Sequence, residues 1–282
     1  MTGHSPLRLG LIGIGIGIGQ SAPPRLHRLA GVHYRIDIDY PLFDLADGDD
    51  FDACLGARAD RRGINIIHPF KTRAIELVEN VAPEIARLGA INTVLFDDVR
   101  PVRGANTDHS CFIAAYRAAF AERSAGRVAL FGAGGVGQPL TAALIALDAE
   151  VIHVDDPNRA RAETLTATLR YTSCPIVVAK TLAAATDAAD LVNATPLGMH
   201  NHPGSPLPTF AVGAPRWAID AVYTPVDTVF LGHAATSGAV VMSVYRLSLW
   251  QGAHAFELLT GQRIDLATLT RLLAPTAAAM RA

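Results

Sequence analysis

The sequence is poor in several residue types, and each scarcity excludes a class of protein. Its three cysteines, Cys54, Cys111 and Cys174, are far apart and odd in number, which indicates neither a disulfide framework nor a zinc site. A formal net charge of −2 gives no support to a nucleic-acid partner. No apolar run reaches the ~20 residues of a membrane-spanning helix, and the first ten residues lack a signal-peptide layout. We therefore expect a cytoplasmic protein with neither a nucleic-acid nor a membrane partner.

Lysine is also scarce. The chain has 24 lysines and arginines together, but only Lys71 and Lys180 are lysines. Arginine thus supplies nearly all of the positive charge, and Lys71 is less easily explained as a surface residue. Lys71 follows the strand-like "GINIIHP" and starts a helix-like segment, so we expect it at the carboxyl end of a strand, where α/β sheets bind ligands. The positive end of a helix favours the neutral amine, and we predict that Lys71 transfers protons.

Glycine is abundant, above all in "GLIGIGIGIGQ" at residues 10–20. The spacing does not match a dinucleotide-binding loop, because no start among these glycines gives positions 1, 3 and 6. A period of two instead predicts a strand with isoleucines on one face and a bare glycine face on the other. Two interpretations remain open: a buried first strand that runs into a loop, or a strand whose end forms one wall of a substrate pocket.

Strand-like and helix-like segments alternate along the chain, which predicts an α/β protein with mainly parallel sheets. Residues 71–88 are predicted to form one helix. We expect two domains. Residues 1–106 and 239–282 would form an α/β substrate-binding domain, and residues 107–238 a Rossmann-type, doubly wound nucleotide-binding domain.

The nucleotide signal lies in "VALFGAGGVG", a strand, a tight turn and the start of a helix. Its glycines stand in the fingerprint register, and the helix offers N-terminal N–H groups to a pyrophosphate. The predicted cofactor-binding residues of this turn are Gly132, Ala133, Gly134, Gly135, Val136 and Gly137. The next strand ends in Asp155 and Asp156, at the distance where an acid accepts hydrogen bonds from the ribose of NAD. An aspartate repels a 2′-phosphate, so we expect NAD, although Arg159 leaves NADP possible.

A second polar set surrounds the start of another predicted helix. Asp108, in "RGANTDHS", is a candidate partner for Lys71, with a simple helix N-cap as the alternative. Asn92-Thr93, in "GAINTVL", and Asn106-Thr107 each come after a glycine and an alanine in a loop or strand end, where amides suit a polyhydroxylated ligand. Gln251 would be a polar group on a packed helix face, so a ligand hydroxyl or a structural group must satisfy it.

Together these segments resemble the shikimate/quinate dehydrogenase family over nearly the whole chain. The resemblance is carried, in order, by "NIIHPFK", "LGAINTV", "GANTD", "GAGGVG", "NATPLGM", "DAVYTP" and "QGAHAFELLTG". It implies a substrate domain, an NAD(P) domain and an active cleft between them, in an enzyme resembling a shikimate/quinate 3-dehydrogenase. The residues that match the family are Lys71 and Asp108 as catalytic pair, Ser21, Asn92, Tyr223 and Gln251 on the substrate side, and Asn193, Ala194, Thr195 and Met199 beside the cofactor.

The chain departs from the family in the part that holds the ring substrate. Pro23 and Ile67 stand where the family usually has a hydroxyl residue, and each lost buried hydrogen bond costs about 1–3 kcal/mol. Arg25 is a candidate replacement for the carboxylate anchor, and Cys111 stands where the family commonly has glycine. We therefore expect the machinery for proton and hydride transfer with an altered substrate grip.

Two rival functions follow from these departures. One is a non-catalytic NAD-binding sensor whose substrate site has decayed, and the other is a methylene-folate-type dehydrogenase. No metal is expected, because the pair His200 and His202 has no third ligand at useful spacing. The sequence leaves open whether the chain is a monomer or a homodimer.

Overall fold

The computed structural model describes residues 5–13, 23–45, 51–67, 69–97, 100–170, 172, 174–179, 190–207, 214–222 and 225–274. It divides into two compact units. The substrate-side unit, so called from here on, comprises residues 1–107 and 249–282, and the glycine-turn unit comprises residues 108–248. Among the described residues, no helix is both long and apolar enough to cross a membrane.

The described strands and helices alternate as an α/β protein requires. The strands are β1 (Leu7–Arg8), β2 (Leu11–Gly13), β3 (Ile38–Asp39), β4 (Leu42–Asp44), β5 (Gly63–Ile66), β6 (Asn80–Val81), β7 (Thr93–Phe96), β8 (Pro101–Ala105), β9 (Gly126–Phe131), β10 (Ala149–Asp155), β11 (Ile176–Val178), β12 (Asp190–Asn193), β13 (Trp217–Asp220) and β14 (Val240–Ser243). The helices are α1 (Pro23–Tyr34), α2 (Phe51–Gly56), α3 (Lys71–Ala74), α4 (Pro83–Leu88), α5 (Thr107–Phe120), α6 (Gly137–Ala146), α7 (Arg159–Thr168), α8 (Val229–Thr236), α9 (Val244–Thr260) and α10 (Leu266–Leu273).

The substrate-side unit contains a mixed six-stranded sheet in the order β4-β2-β5-β7-β8-β6, beside the parallel pair β1 and β3. Strand β7 is antiparallel to both β5 and β8. The connection from β7 to β8 is too short for a parallel crossover. The predicted first strand is confirmed for Leu11–Gly13, and residues 14–22 lie outside the described residues. A Cβ on Gly10 would lie 2.7 Å from the Phe43 ring, so an aromatic side chain occupies the bare face there.

Helix α9 approaches its neighbours closely in this unit through glycine. A Cβ on Gly252 would lie 2.2 Å from Leu26 of α1, and a Cβ on Gly63 of β5 would lie 2.2 Å from Leu259 of α9. Around these contacts Leu26 and Phe256 belong to one buried apolar cluster. The packing sets the position of α9, which carries Gln251, relative to the sheet.

The glycine-turn unit contains an all-parallel six-stranded sheet in the order β11-β10-β9-β12-β13-β14. This is the doubly wound arrangement predicted from the sequence. The unit ends at residue 248 rather than 238, because β14 pairs in parallel with β13. The boundaries after residues 107 and 248 both fall inside helices, α5 and α9.

The prediction of one helix over residues 71–88 is wrong. Helix α3 has only four residues and is followed by a 3-10 turn, Ile75–Leu77. Asn80–Val81 then pairs in parallel with β8, and Pro83 starts the separate helix α4. Pairing with the sheet and a proline at a new N-terminus override the helical pattern here.

Candidate active site

The two Asn-Thr pairs of the sequence meet in a buried amide cluster, defined here as Asn92, Thr93, Thr107 and Gln251. Asn92 Oδ1 accepts hydrogen bonds from Thr107 N at 2.8 Å, Thr107 Oγ1 at 3.0 Å and Thr93 Oγ1 at 3.2 Å. Asn92, Thr93 and Thr107 are at most 2% exposed. Three donors on one oxygen fix the orientation of the amide, so the Asn92 nitrogen must face away from them.

Gln251 joins this cluster from a distant part of the chain. Its Nε2 donates to Thr107 Oγ1 at 2.9 Å across a separation of 144 residues. Among the described residues, none accepts a hydrogen bond from Asn92 Nδ2 and none donates one to Gln251 Oε1. The cluster can therefore offer donors at Asn92 and an acceptor at Gln251 to a hydroxylated ligand.

Lys71 lies beside the amide cluster in the fold of the substrate-side unit. Its carbonyl accepts a hydrogen bond from Ile91 N at 2.9 Å, and Ile91 directly precedes Asn92. The preceding Phe70 stacks on Phe51, with ring centroids 4.6 Å apart, which anchors the start of α3. Because α3 has only four residues, the helix-dipole contribution expected at Lys71 is small. Its half-buried position at the start of α3, in the segment that follows β5, remains the main support for its predicted role.

Asp108 lies in the first turn of α5. The Asp108 carbonyl accepts a hydrogen bond from Cys111 Sγ at 3.1 Å, so Cys111, which replaces a common family glycine, packs onto this turn. Cys111 is buried, at 4% exposed. The residue directly before Asp108 is Thr107, the hub of the amide cluster.

Two departures from the family pattern, Ile67 and Pro23, and the candidate anchor Arg25 have defined places in the substrate-side unit. Ile67 packs against the apolar cluster of Leu26 and Phe256, so a core contact replaces the hydroxyl that the family usually has. Pro23 starts α1, a position that suits its fixed φ. Arg25 was a candidate anchor for the substrate carboxylate, but its guanidinium donates to the Leu273 carbonyl at the end of α10, at 3.2 Å.

Asn65, which donates to Thr93 Oγ1, and Tyr40, which donates to Asn65 Oδ1, extend the amide cluster and were not found from the sequence. Asn65 stands in a quoted family segment, and a polar residue inside a fully buried strand was the signal that could have found it. Tyr40 follows a two-residue strand, and nothing in the local pattern distinguishes it. Ser21 and Tyr223 lie outside the described residues.

The glycine turn forms the predicted strand-turn-helix junction from β9 to α6. A Cβ on Gly137 would lie 2.1 Å from the Gly132 carbonyl oxygen, and Gly132 has a φ of +96°. A Cβ on Gly134 or Gly135 would meet no atom of the described chain within 4 Å. The turn is thus tightly packed at Gly132 and Gly137 and open at Gly134 and Gly135. Its residues fit a pyrophosphate that approaches the backbone.

Asp155 and Asp156 at the end of β10 have different surroundings. The Asp156 carboxylate accepts from Ala133 N and Asn158 N, both at 2.8 Å, and thereby braces the glycine turn. Among the described residues, none donates a hydrogen bond to the Asp155 carboxylate. Burial, and then the negative charge of Asp156, raises the pKa of Asp155 above its ordinary value.

The segment "NATPLGM" packs directly on the glycine turn. Ala194 N donates to the Phe131 carbonyl at 2.7 Å, and a Cβ on Gly132 would lie 2.9 Å from the Ala194 backbone. Asn193 Oδ1 accepts from Thr195 N at 2.9 Å and Thr195 Oγ1 at 2.7 Å. The predicted cofactor-binding residues from both segments therefore lie together, with Met199 in the turn that follows.

Asp220, which was not selected from the sequence, holds this segment from beneath. Its carboxylate accepts from Asn193 Nδ2 at 3.0 Å, Val222 N at 2.9 Å and Thr228 Oγ1 at 2.5 Å. Burial raises the pKa of Asp220, and these hydrogen bonds oppose the increase. Its place inside the quoted segment "DAVYTP" was the available signal.

Titratable side chains form no metal-binding group of three or more among the residues that the structure describes. His202 N instead donates to the Met199 carbonyl at 2.9 Å, within a tight turn that also contains His200.

Comparison with known proteins tests the resemblance. A family model described as "Shikimate dehydrogenase substrate binding domain" matches residues 13–94. The shikimate dehydrogenase (NADP(+)) of Streptomyces avermitilis is 37% identical over 271 residues, covering 89% of this chain and 90% of that one. The quinate/shikimate dehydrogenase (NAD(+)) of Corynebacterium efficiens is 32% identical, covering 93% and 96%. The chain belongs to the shikimate/quinate dehydrogenase family.

Comparison with a solved structure of the family tests the fold of this chain. The quinate dehydrogenase from Corynebacterium glutamicum in complex with NAD superimposes with a TM-score of 0.86 at 29% identity, covering 95% of this chain and 98% of that one. The two-domain α/β class with a Rossmann-type domain is thereby confirmed, and the protein is an NAD(P)-dependent dehydrogenase.

Proposed function

We propose that the chain interconverts a ring hydroxyl and a ketone in shikimate, quinate or a related cyclic hydroxy acid, with NAD as its preferred cofactor. The amide cluster is the observation that carries this proposal. Asn92 Nδ2 and Gln251 Oε1 have no hydrogen-bond partner among the described residues, while the opposite atom of each amide is held within the cluster. A polyhydroxylated ring offers acceptors and donors to both.

Proton transfer is assigned to Lys71, with Asp108 as its partner. In oxidation, Lys71 Nζ takes the proton of the reacting hydroxyl, which we expect at ring position 3, and Asp108 orients lysine and hydroxyl. In reduction, the Lys71 ammonium donates to the developing alkoxide and stabilises its charge. When bound, NAD supplies the acceptor for the hydride that leaves the ring carbon.

Substrate binding is assigned to Asn92 and Gln251, and by the family resemblance to Ser21 and Tyr223. The core contact of Ile67 supports an altered grip, because an isoleucine offers no donor to a substrate hydroxyl or carboxylate. We therefore expect weaker selection for shikimate than a full set of hydroxyl side chains would provide.

Cofactor binding is assigned to the glycine turn, residues 132–137, and to the adjoining segment with Asn193, Ala194, Thr195 and Met199. Asp155 is the better candidate for the ribose hydroxyls, because Asp156 already accepts two backbone N–H groups. Two neighbouring carboxylates oppose a 2′-phosphate electrostatically, which supports NAD over NADP.

The test is a screen of shikimate, quinate and other cyclic hydroxy acids with NAD and with NADP, followed by absorbance at 340 nm. We expect turnover with at least one ring acid and a higher kcat/KM with NAD. NAD binding measured by calorimetry runs in parallel. Binding of NAD without turnover of any ring acid would contradict the proposed enzymatic activity and favour an NAD-binding sensor. The apolar contact of Ile67 is also compatible with a sensor, because a sensor needs no donor to a ring substrate.

A further inference from the structure

A buried chain of hydrogen bonds leads from Tyr40 to the amide cluster. Tyr40 OH donates to Asn65 Oδ1 at 2.6 Å, and Asn65 Nδ2 donates to Thr93 Oγ1 at 3.0 Å. Thr93 Oγ1 then donates to Asn92 Oδ1 at 3.2 Å. All four side chains are at most 3% exposed, so water does not compete for these bonds.

The hydrogen bonds of this chain share one direction, from Tyr40 to Asn92. The Thr93 hydroxyl has one proton, and because it accepts from Asn65 that proton is available for Asn92. Asn65 donates through its nitrogen, and its oxygen is held by the Tyr40 hydroxyl. Reversal at one end would require reorientation of each group along the chain.

Tyr40 is suited to hold one end of such a chain. Its ring stacks on the ring of His27, with centroids 4.9 Å apart and planes 16° apart, and it is fully buried. Burial raises the pKa of Tyr40 far above its ordinary value, so the hydroxyl keeps its proton at any working pH. Packing and protonation both make it a constant donor.

We propose that Tyr40 is a positioning residue for the ring substrate and acts through Asn65 and Thr93 on the Asn92 amide. The relay, meaning Tyr40, Asn65 and Thr93, keeps the Thr93 proton on Asn92 Oδ1 and thus keeps Asn92 Nδ2 directed towards the ligand. Thr107 supplies the other two donors to the same oxygen. Loss of the relay therefore loosens the amide without reversing it. This inference rests on the proposed function, which assigns Asn92 to the ring substrate.

The kinetic test uses Tyr40→Phe, Thr93→Val and the double variant. We expect Tyr40→Phe to raise KM for the ring substrate about fivefold, as expected for one neutral hydrogen bond, with kcat and KM for NAD within about twofold. The double variant should raise KM no more than the larger single change, because both act on one chain. Multiplying effects, or an unchanged KM in Tyr40→Phe, would overturn the relay.

The matched control is Tyr116→Phe. It deletes another buried tyrosine hydroxyl, which donates to the Ser124 carbonyl at 3.0 Å in the glycine-turn unit. We expect this variant to leave KM for the ring substrate unchanged. An equal rise in KM in Tyr116→Phe would show a general loss of packing and would also refute the proposal.

A second readout does not depend on activity. With asparagine labelled selectively with ¹⁵N, the chain has seven side-chain amide pairs, and Asn92→Asp identifies the pair of Asn92. In Tyr40→Phe we expect the pairs of Asn65 and Asn92 to shift or broaden, with the pair of Asn193 unmoved. If wild-type protein turns over no ring acid, the proposed function fails while this spectrum still decides the relay. An unmoved Asn92 pair would refute it.

Discussion

The two candidate binding regions of this chain are built in opposite ways. The glycine turn and its bracing carboxylate lie within residues 132–156, and backbone N–H groups provide the contacts. The amide cluster and its relay join side chains from Tyr40, Asn65, Asn92 and Gln251, far apart in sequence. In the glycine turn the constraint is space, since an added Cβ at Gly137 would lie 2.1 Å from a backbone oxygen. In the amide cluster the constraint is the set of hydrogen-bond partners, since each side chain holds the next one in the chain.

The largest expected effect tests whether chemistry depends on a single side chain of the substrate-side unit. Lys71→Ala removes the proposed acid and base, so we expect kcat to fall by about 10²–10⁴-fold, with NAD affinity unchanged. Steady-state rates at 340 nm and NAD titration measure both quantities.

Arg73→Ala is the control for Lys71→Ala. It removes a cation from the same short helix, but one that pairs with Asp52 and Glu76. We expect it to keep its turnover. Full activity in Lys71→Ala would refute the assigned role.

Two variants of the glycine turn distinguish a loss of stability from a loss of NAD binding alone. Gly137→Ala places a Cβ 2.1 Å from a backbone oxygen, so we expect a loss of about 1–3 kcal/mol in the free energy of unfolding and a loss of NAD binding. Gly134→Ala meets no atom of the described chain within 4 Å, so we expect nearly native stability with weaker NAD binding.

Thermal melting and NAD calorimetry on both glycine variants check this contrast. Native NAD affinity in Gly134→Ala would show that the cofactor does not approach the turn there.

Acid should destabilise the substrate-side unit through His27. Burial lowers the pKa of His27 to about 3, despite the nearby Asn65 side chain, and neither ring nitrogen has a hydrogen bond of normal geometry among the described residues. The unfolded chain gains a proton near pH 6.5 that the folded chain rejects. Stability should therefore fall as pH decreases below that value, by about 1.4 kcal/mol per pH unit from this residue.

Urea unfolding of the wild type and His27→Phe between pH 7 and pH 5 isolates this contribution. Phenylalanine keeps the stacking on Tyr40 and Phe256 and does not titrate. The difference in slope between the two proteins should report His27. Parallel pH profiles would refute the assignment.

The smallest effect compares two adjacent carboxylates. Asp155→Asn should raise the ratio of NADP to NAD kcat/KM by about tenfold, because one charge that opposes a 2′-phosphate is removed. Asp156→Asn weakens the bracing of the glycine turn, so both cofactors should lose affinity similarly. Kinetics with each cofactor separate these roles, and an unchanged ratio in Asp155→Asn would assign the preference elsewhere.

Features with local sequence patterns, such as the glycine turn, were predicted from the sequence, and features that depend on contacts distant in sequence were not. Strands β5, β7 and β9 and the glycine turn were predicted because their patterns are local. The prediction of one helix over residues 71–88 was wrong, because Asn80–Val81 forms a strand that pairs with β8. Tyr40 and Asn65 escaped notice because their partners lie 25 and 28 residues away.

The sequence by itself determined the alternation of elements, the glycine turn and the family, since short contiguous patterns of residues specify each of them. Tertiary structure decided which of the scattered polar residues meet. It directed Arg25 to a helix end, packed Ile67 against the core, and brought Gln251 to Thr107. The reason is physical: a hydrogen bond between side chains depends on the packing of whole elements, such as α9 against α1 through Gly252, which no local pattern specifies.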